Sequence, residues 1–374
     1  MGDAGEPPLR HGGAQARHPG RPDPPLKQPG RWMRAEIQEQ PAVLERLWDD
    51  VRPLARRLAA RWRLDPPGLV VFVARGSSDN AALYGRYLWE ATLGVPVSLA
   101  APSVVTLYRG RLRLRGSWVV GLSQSGRSPD VVTFLRRGRQ GGAFTVAVTN
   151  DPDSPLARES HEVLPLYAGR ERSVAATKTY VAELFVLSVL AAEAAKDRRL
   201  VSAHERLPGQ VAAALRVEDA ASDLARRWEG AAACVVTGRG YNYATAREAA
   251  LKLKEAAYLP AEALSSADFL HGPVALVGPG FPVLVVASPG RARRHLQDVV
   301  RMLGRRGAQV AVVSSDPAVL GCVQHGLEVP AGTPEELTPH VYAVAVQLFS
   351  YHLGVRRGTD PDRPRGLRKV TRVL

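Results

Sequence analysis

The sequence has 374 residues, is 45% hydrophobic and carries a formal net charge of +14. A chain of this length and composition can bury a large core, arranged as two domains or two packed halves. No apolar run approaches the roughly 20 residues that span a bilayer, and the N-terminus lacks an apolar signal-peptide core. The two isolated cysteines, Cys234 and Cys322, exclude a disulfide framework and a cysteine zinc site. We therefore predict a cytoplasmic protein.

The basic residues are spread along the whole chain and form no stripe interleaved with aromatic residues. This distribution does not favour nucleic acid, which requires a concentrated basic surface, and no membrane partner is predicted. Only six of the fifty basic residues are lysines. Because arginine is the default cation here, a lysine indicates a position that needs an amine able to lose its proton.

The first half of the chain alternates predicted strands and helices after a polar start. Residues 1–32 are rich in Pro, Gly, Arg and His, so we predict a disordered extension before a folded domain that starts at Met33. A first helix is predicted at about 36–62. Strands are then predicted at 69–74, 118–122 and 144–149, and helices at 79–93, 130–139 and 179–195.

The second half repeats this plan. Strands are predicted at 232–237, 282–287 and 309–314, and helices after Gly240, at 291–303 and at 339–351. Such alternation favours an α/β fold with two doubly wound parallel sheets, each covered by helices on both faces. We predict a first subdomain at 33–205, a second at 206–355 and a tail at 356–374. The charged segment 196–209, which ends in Pro-Gly, is the predicted join.

A serine-rich turn follows a strand of the first half. Residues 123–128 read SQSGRS, with Ser128 suited to the N-cap of the next helix and Pro129 to its first turn. Backbone N–H groups at this helix start, together with the hydroxyls, predict a cradle for a dianion, and Ser78 in the preceding unit can add another hydroxyl. A capped serine-rich turn without a ligand is the alternative. No dinucleotide fingerprint or P-loop is present, so nucleotide use is not supported.

Charged side chains repeat on the helix that follows Gly240. Glu248, Lys252 and Glu255 are spaced by four and three residues and therefore share one helix face. His271 follows in a predicted short loop closed by Gly272 and Pro273. A carboxylate, an amine and an imidazole near the end of a strand are the groups that a proton-transfer enzyme needs. A solvated Glu/Lys helix face with a loop histidine is the alternative reading of these residues alone.

Five ordered motifs resemble the tandem sugar-isomerase (SIS) family, from about Met33 to the C-terminus. The chain is similar to the isomerase half of glucosamine-6-phosphate synthase and to SIS-type aminosugar-6-phosphate deaminases. This resemblance implies two flavodoxin-like, three-layer αβα subdomains and a dimer or higher oligomer with active sites shared between subunits. It implies no metal or other cofactor. The motifs are ARGSSDNA, GLSQSGRSPD, SVAATKTY, the segment 238–273 and the tail 360–369.

The resemblance also implies roles for individual residues. Lys252 and Glu255 match the helix pair beside the reacting carbons, with the glutamate as the base. His271 matches a ring-opening histidine that reaches in from the partner subunit, and Lys369 matches a tail lysine at the open-chain carbonyl, where an amine can form a Schiff base. The sugar-phosphate contacts carried over are Ser78, Ser123, Gln124, Ser125, Ser128 and the backbone of Val174.

Three features depart from the synthase pattern. Ala176 replaces a usual serine, Asp268 replaces a glutamate before the histidine, and the tail after Lys369 differs. The synthase also carries a glutaminase domain whose nucleophile is a cysteine directly after the initiator methionine. Gly2 stands at that position here, so we expect no glutamine hydrolysis by this chain.

The resulting functional prediction is an aminosugar-6-phosphate deaminase and isomerase that converts glucosamine 6-phosphate to fructose 6-phosphate and ammonia. The predicted assembly is a homodimer. A phosphosugar aldose–ketose isomerase and an ammonia-dependent synthase-like enzyme are alternatives that use the same groups. A phosphosugar-sensing binding protein is an alternative from another class. A sensor is expected to lose Glu255 or the tail lysine, and both are present.

Overall fold

A computed structural model describes residues 28–369 as two halves, each built on a parallel five-stranded sheet. None of the described helices is long and apolar enough to cross a membrane. The described strands β1 to β10 are Leu69–Val73, Val97–Leu99, Ser117–Leu122, Phe144–Thr149, Glu162–Pro165, Cys234–Gly238, Ala261–Ser265, Pro282–Val286, Gln309–Ser314 and His325–Glu328.

Helices connect successive strands and cover both faces of each sheet. The described helices α1 to α14 are Arg31–Gln38, Gln40–Leu64, Ser77–Leu93, Ser103–Thr106, Pro129–Gln140, Pro155–Arg158, Lys178–Ala195, Arg198–Ala214, Glu218–Trp228, Tyr241–Ala257, Ser266–Leu270, Arg293–Arg305, Pro317–Leu320 and Thr338–Arg356.

The two sheets have the same strand order. The first runs β2-β1-β3-β4-β5. The second runs β10-β9-β8-β6-β7, which is the same order read from the opposite edge. In each half the first strand therefore lies between the second strand, at the edge of the sheet, and the third. All neighbouring strands pair in parallel. The predicted α/β fold with two flavodoxin-like subdomains is therefore confirmed.

One hydrophobic core lies between the two sheets, and a smaller one lies on the outer face of each. The central strands are apolar along their whole length because helices cover both of their faces; β3, for example, is buried at every position. Helices α3 and α7 of the first half and α10 and α14 of the second pack in the shared core. The two halves therefore fold against each other through a shared core.

This strand order opens one crevice in each half. The chain leaves β1 towards one edge of its sheet and leaves β3 towards the other, so a gap remains between their carboxyl ends. We call this gap the first crevice. The matching gap between β6 and β8 is the second crevice.

The beginning of the fold differs from the sequence prediction. The helix expected at 36–62 is two helices, α1 and α2, and Pro41 lies in the first turn of α2, where its missing N–H costs nothing. Ordered structure also begins before Met33, since the backbone N–H of Gly30 donates to Asp360 and that of Trp32 to Asp362. The rest of the predicted extension, 1–27, and residues 370–374 of the tail lie outside the described residues.

The segment between the halves also differs. Helix α8 crosses most of the predicted join 196–209, and the predicted boundary between residues 205 and 206 falls inside it. Asp197 caps the helix by accepting the backbone N–H of Leu200 at 3.0 Å. Leu200, Leu207 and Val211 are buried at helical spacing while the charged residues face outward. The sequence analysis missed the edge strands β2, β5, β7 and β10, which have only three to five residues each.

Candidate active site

The first crevice holds a cavity of about 190 Å³. Loops after β1 and β3 form one wall, helix α10 of the second half supplies another, and the C-terminal tail closes a third side. The carboxyl ends of parallel strands at such a crossover are where α/β proteins commonly bind ligands. The structure brings nine of the ten predicted site residues to this cavity: Ser78, Ser123, Gln124, Ser125, Ser128, Val174, Lys252, Glu255 and Lys369.

The serine-rich loop is shaped by a glycine that no other residue can replace. Gly126 has φ 61°, and a Cβ there would lie 2.1 Å from the Oγ of Ser154. The hydroxyl of Ser123 accepts the N–H of Gly126 at 3.2 Å and lies 3.4 Å from the hydroxyl of Ser128. Ser128 is the N-cap of α5, but its side chain makes no capping hydrogen bond, contrary to the sequence prediction. The Ser128 hydroxyl lines the crevice and is available to bind a ligand.

Ser78 lies in the first turn of α3 and bonds to a buried acid that the sequence analysis missed. Its hydroxyl donates to Glu183 at 2.7 Å. Burial, helped by the nearby charges of Glu171 and Glu248, raises the pKa of the Glu183 carboxyl to about 8, although the bond from Ser78 lowers it. Glu183 lies in the apolar helix α7, where a glutamate between long apolar runs is itself a signal that could have been noticed.

Helix α10 brings Glu248, Lys252 and Glu255 together, on the one face that their spacing predicts. The amine of Lys252 is 2.5 Å from the Glu255 carboxylate and 3.5 Å from that of Glu248. Burial opposes the charge on Lys252, but the two carboxylates outweigh it and hold the pKa of the amine above its usual range. Glu248 is fully buried and also accepts bonds from Ser77 and Asn80 of α3. Glu255 keeps 24% of its side chain exposed, so it is the member of the trio that can reach a ligand.

The C-terminal tail reaches the crevice through an ion pair. The amine of Lys369 donates to the Glu171 carboxylate and to the carbonyl of Ser173, each at 2.7 Å. Burial alone would raise the pKa of Glu171, but Lys369 and bonds from Thr177 and Thr179 lower it. The carboxylate of Glu171 is therefore ionised and is the ion-pair partner of Lys369. Sequence analysis missed Glu171, although an acid just before the SVAATKTY motif is visible in the sequence.

The loop between β5 and α7 is held on both sides. Glu36 of α1 accepts the backbone N–H groups of Arg172 and Ser173. The N–H of Val174 donates to the carbonyl of Asp362 at 3.2 Å, so the backbone N–H of Val174 is already bonded. A sugar contact through its carbonyl stays a prediction.

His271 is the one predicted site residue that the first crevice of the same chain does not contain. It lies in the turn that directly follows the short helix α11, in keeping with the predicted short loop, and its side chain is exposed. Its predicted action in a partner subunit stays a prediction. Within residues 28–369, no cluster of three or more His, Cys, Asp or Glu side chains is arranged to hold a metal ion.

Comparison with known proteins gives the same division of the chain. The SIS domain family model matches residues 66–193 and 231–356. The chain is 36% identical over 347 residues to the glutamine–fructose-6-phosphate aminotransferase (isomerizing) of Methanothermobacter thermautotrophicus, covering 91% of this chain and 57% of that protein. The chain thus spans little more than half the length of such curated relatives.

Two solved structures resemble the whole described fold. A candidate phosphosugar isomerase from Silicibacter pomeroyi aligns with a TM-score of 0.81 and 38% identity, covering 88% of this chain and 99% of that one. The C-terminal domain of glucosamine-fructose-6-phosphate aminotransferase from Francisella tularensis aligns with a TM-score of 0.80 and 28% identity, covering 89% and 98%.

Proposed function

Since the chain belongs to the SIS domain family, we propose that its first crevice deaminates and isomerises an amino sugar 6-phosphate. One observation carries this proposal: a cradle of hydroxyls and a single partly exposed carboxylate, Glu255, line the same small cavity. The cradle suits a phosphate group. The carboxylate, beside a charged lysine, suits a base that removes a proton from carbon.

In the proposed reaction the phosphate of glucosamine 6-phosphate docks on the loop 123–128. After the ring opens, Glu255 takes the proton from C2 and returns it to C1, which converts the aldehyde with a C2 amine into a ketose imine. Water adds to the imine and releases ammonia, leaving fructose 6-phosphate. The amine of Lys252 holds the Glu255 carboxylate in place through its 2.5 Å contact. Because Lys369 forms an ion pair with Glu171, we favour charge stabilisation of the carbonyl oxygen by Lys369 over a Schiff base.

The most direct test supplies the purified chain with glucosamine 6-phosphate, glucose 6-phosphate, or fructose 6-phosphate plus ammonium. We expect ammonia and ketose from the first sugar. Ketose from glucose 6-phosphate without any reaction of the amino sugar would favour the plain phosphosugar isomerase, in keeping with the name of the Silicibacter pomeroyi relative. Binding without turnover of any sugar would favour a sensor.

The phosphate cradle is tested by removing two of its hydroxyls. In the Ser125→Ala/Ser128→Ala variant we expect KM to rise by at least tenfold, since each lost bond to a charged group costs about 1.5–3 kcal/mol. Ser288→Ala removes a buried hydroxyl from the matching loop after β8 and is the control. An unchanged kcat/KM in the double variant would show that the phosphate binds elsewhere.

The shared active site and homodimer are tested by mixing two inactive variants. If His271 acts on the partner's site, a dimer of Glu255→Gln and His271→Ala subunits contains one intact site. Random mixing in equal amounts should restore about a quarter of wild-type activity, because half of the dimers are mixed and one of two sites works in each. Recovery of no activity would contradict action across subunits.

A further inference from the structure

The two crevices correspond residue by residue. Gly76 and Gly240 follow the first strand of each half with nearly identical backbone angles, φ 59°, ψ −132° and φ 58°, ψ −133°. Each begins a helix of 17 residues, α3 or α10. A constant offset of 164 residues also relates the ends of β3 and β8, at Leu122 and Val286. The second crevice is therefore a structural copy of the first.

The second crevice is the larger one, with a cavity of about 920 Å³ against about 190 Å³. A cavity of this volume is in the usual range for small-molecule sites. Polar and aromatic side chains dominate its lining, which includes Arg239, Tyr241, Asp268, Arg291, His295 and Glu335.

The acid–base residues of the first crevice have no counterparts in the second. By the offset of 164, Glu255 corresponds to Ala91 and Lys252 to Leu88 on helix α3, and Ala91 lines the second cavity. A methyl group cannot take a proton from a sugar carbon. The second crevice can therefore hold a ligand, but it lacks the base that the first crevice uses.

The anion position of the copied loop is already filled by the chain itself. Glu335 accepts the backbone N–H of Arg291 at 3.2 Å. Its carboxylate lies so close to Gly290 that a Cβ there would be 2.2 Å from its Oε2. The loop 287–292 has also lost the three hydroxyls of its counterpart, with Ala287, Pro289 and Ala292 in place of serines. A ligand's anionic group must therefore bind elsewhere in this crevice.

Two arginines offer that position. The side chains of Arg239 and Arg291 are exposed at the cavity, and among residues 28–369 neither has a side-chain hydrogen bond or ion pair. Guanidinium groups of this kind bind phosphate well. Asp268 and Glu335 add carboxylates that can accept bonds from hydroxyl or ammonium groups. The lining thus supplies cations for a phosphate and carboxylates for hydroxyl or ammonium groups of the same ligand.

We propose that the second crevice is a non-catalytic binding site for an amino sugar phosphate. The position of the site follows from the copied fold and its cavity, whereas the choice of ligand rests on the proposed function of the first crevice. A molecule of this class then binds twice to each chain, once where it reacts and once where it is only held.

The test is a calorimetric titration of the full chain with glucosamine 6-phosphate. Glu255→Gln is present in every sample, so that the ligand is not consumed. To this background are added Arg239→Ala/Arg291→Ala, Ser125→Ala/Ser128→Ala, or both pairs. Arg294→Ala, an exposed arginine on α12 that does not line the cavity, is the control. Circular dichroism melting checks that each variant is folded.

We expect two equivalents bound per chain in the background and in the control, one after either paired substitution, and none after both. Each lost arginine should weaken the second binding event by about tenfold or more. A single equivalent that the arginine substitutions do not affect would overturn the proposal. If the arginine pair removes an equivalent but the serine pair changes nothing, the second site stands and the proposed first site fails.

Discussion

The two halves of this protein share a fold, a strand order and a glycine turn, yet their crevices differ in chemistry. In the first crevice, hydroxyls from the loop 123–128 face Lys252 and Glu255 of helix α10. In the second, Arg239 and Arg291 face Tyr87 and Ala91 at the end of α3. The backbone creates a ligand-sized crevice in both halves, and a few side chains determine the chemistry of each crevice.

The comparison also shows that the first crevice depends on both halves. Its serine-rich loop 123–128 comes from the first half, whereas Lys252 and Glu255 come from the second half through α10. Helices α3 and α10 pack directly on each other, and Glu248 accepts bonds from Ser77 and Asn80 across this contact. The interface between the halves therefore positions Glu248, Lys252 and Glu255.

The largest effect is expected when the proposed base of the first crevice is removed. Glu255→Gln keeps the shape and hydrogen-bonding capacity of the side chain, and we expect kcat to fall by about 10²–10⁴-fold, the usual contribution of a positioned base. Binding of the sugar phosphate, measured by calorimetry, should remain near the wild-type value.

Glu90→Gln, near the end of α3 and partly exposed, is the control for that change. Wild-type enzyme assayed in heavy water should place deuterium in the product, to the extent that the proton on Glu255 exchanges with solvent. Equal turnover by wild type and Glu255→Gln would show that another residue is the base.

The next effect concerns stability. Lys252 is buried between two carboxylates, so Lys252→Met leaves a buried charge without its partner and should lower the free energy of unfolding by about 3–5 kcal/mol. Urea unfolding measures this change. Lys254→Met, two residues along the same helix and exposed, should have little effect.

A second substitution separates lost charge pairing from lost packing. Adding Glu248→Gln to Lys252→Met neutralises the fully buried carboxylate and should recover part of the lost stability. No recovery would show that the lysine stabilises the fold through its aliphatic packing alone.

The sequence was sufficient to predict the fold class and most of the first crevice, because both depend on local patterns. Apolar runs bounded by turns gave the central strands, and the spacing of Glu248, Lys252 and Glu255 placed them on one helix face, where the structure has them in contact. The short edge strands β2, β5, β7 and β10 were missed because so few residues carry no periodicity.

What the sequence could not reveal are contacts between distant segments. Glu183 and Glu171 act on Ser78 and Lys369 across 105 and 198 residues of chain, and no local pattern predicts such pairs. The second crevice was missed for a related reason. Its arginines look like part of the general arginine excess until the fold places Arg239 and Arg291 at one cavity.

The smallest predicted effect depends on pH and should appear in the first crevice only. Ser78 donates to the ionisable Glu183, whereas its counterpart Asn242 donates to Thr338, which does not titrate in this range. The pKa of Glu183 is raised to about 8, so below that pH the acid is neutral and does not repel a phosphate bound beside Ser78. Above that pH the carboxylate accepts from Ser78 and repels the dianion.

We therefore expect the KM of the wild type to rise several-fold above about pH 8, with kcat little changed, and the KM of Glu183→Gln to stay flat. Ionisation of the substrate phosphate is common to both proteins and cancels in the ratio of their KM values.

The same raised pKa of Glu183 determines how the free energy of unfolding changes with pH. Between the ordinary glutamate value and about 8, the unfolded chain releases a proton that the folded chain retains, so the free energy of unfolding falls as pH rises through this window and levels off above it. Glu183→Gln should remove that decline. Parallel pH dependence in the two proteins would mean that a group other than Glu183 titrates beside the phosphate.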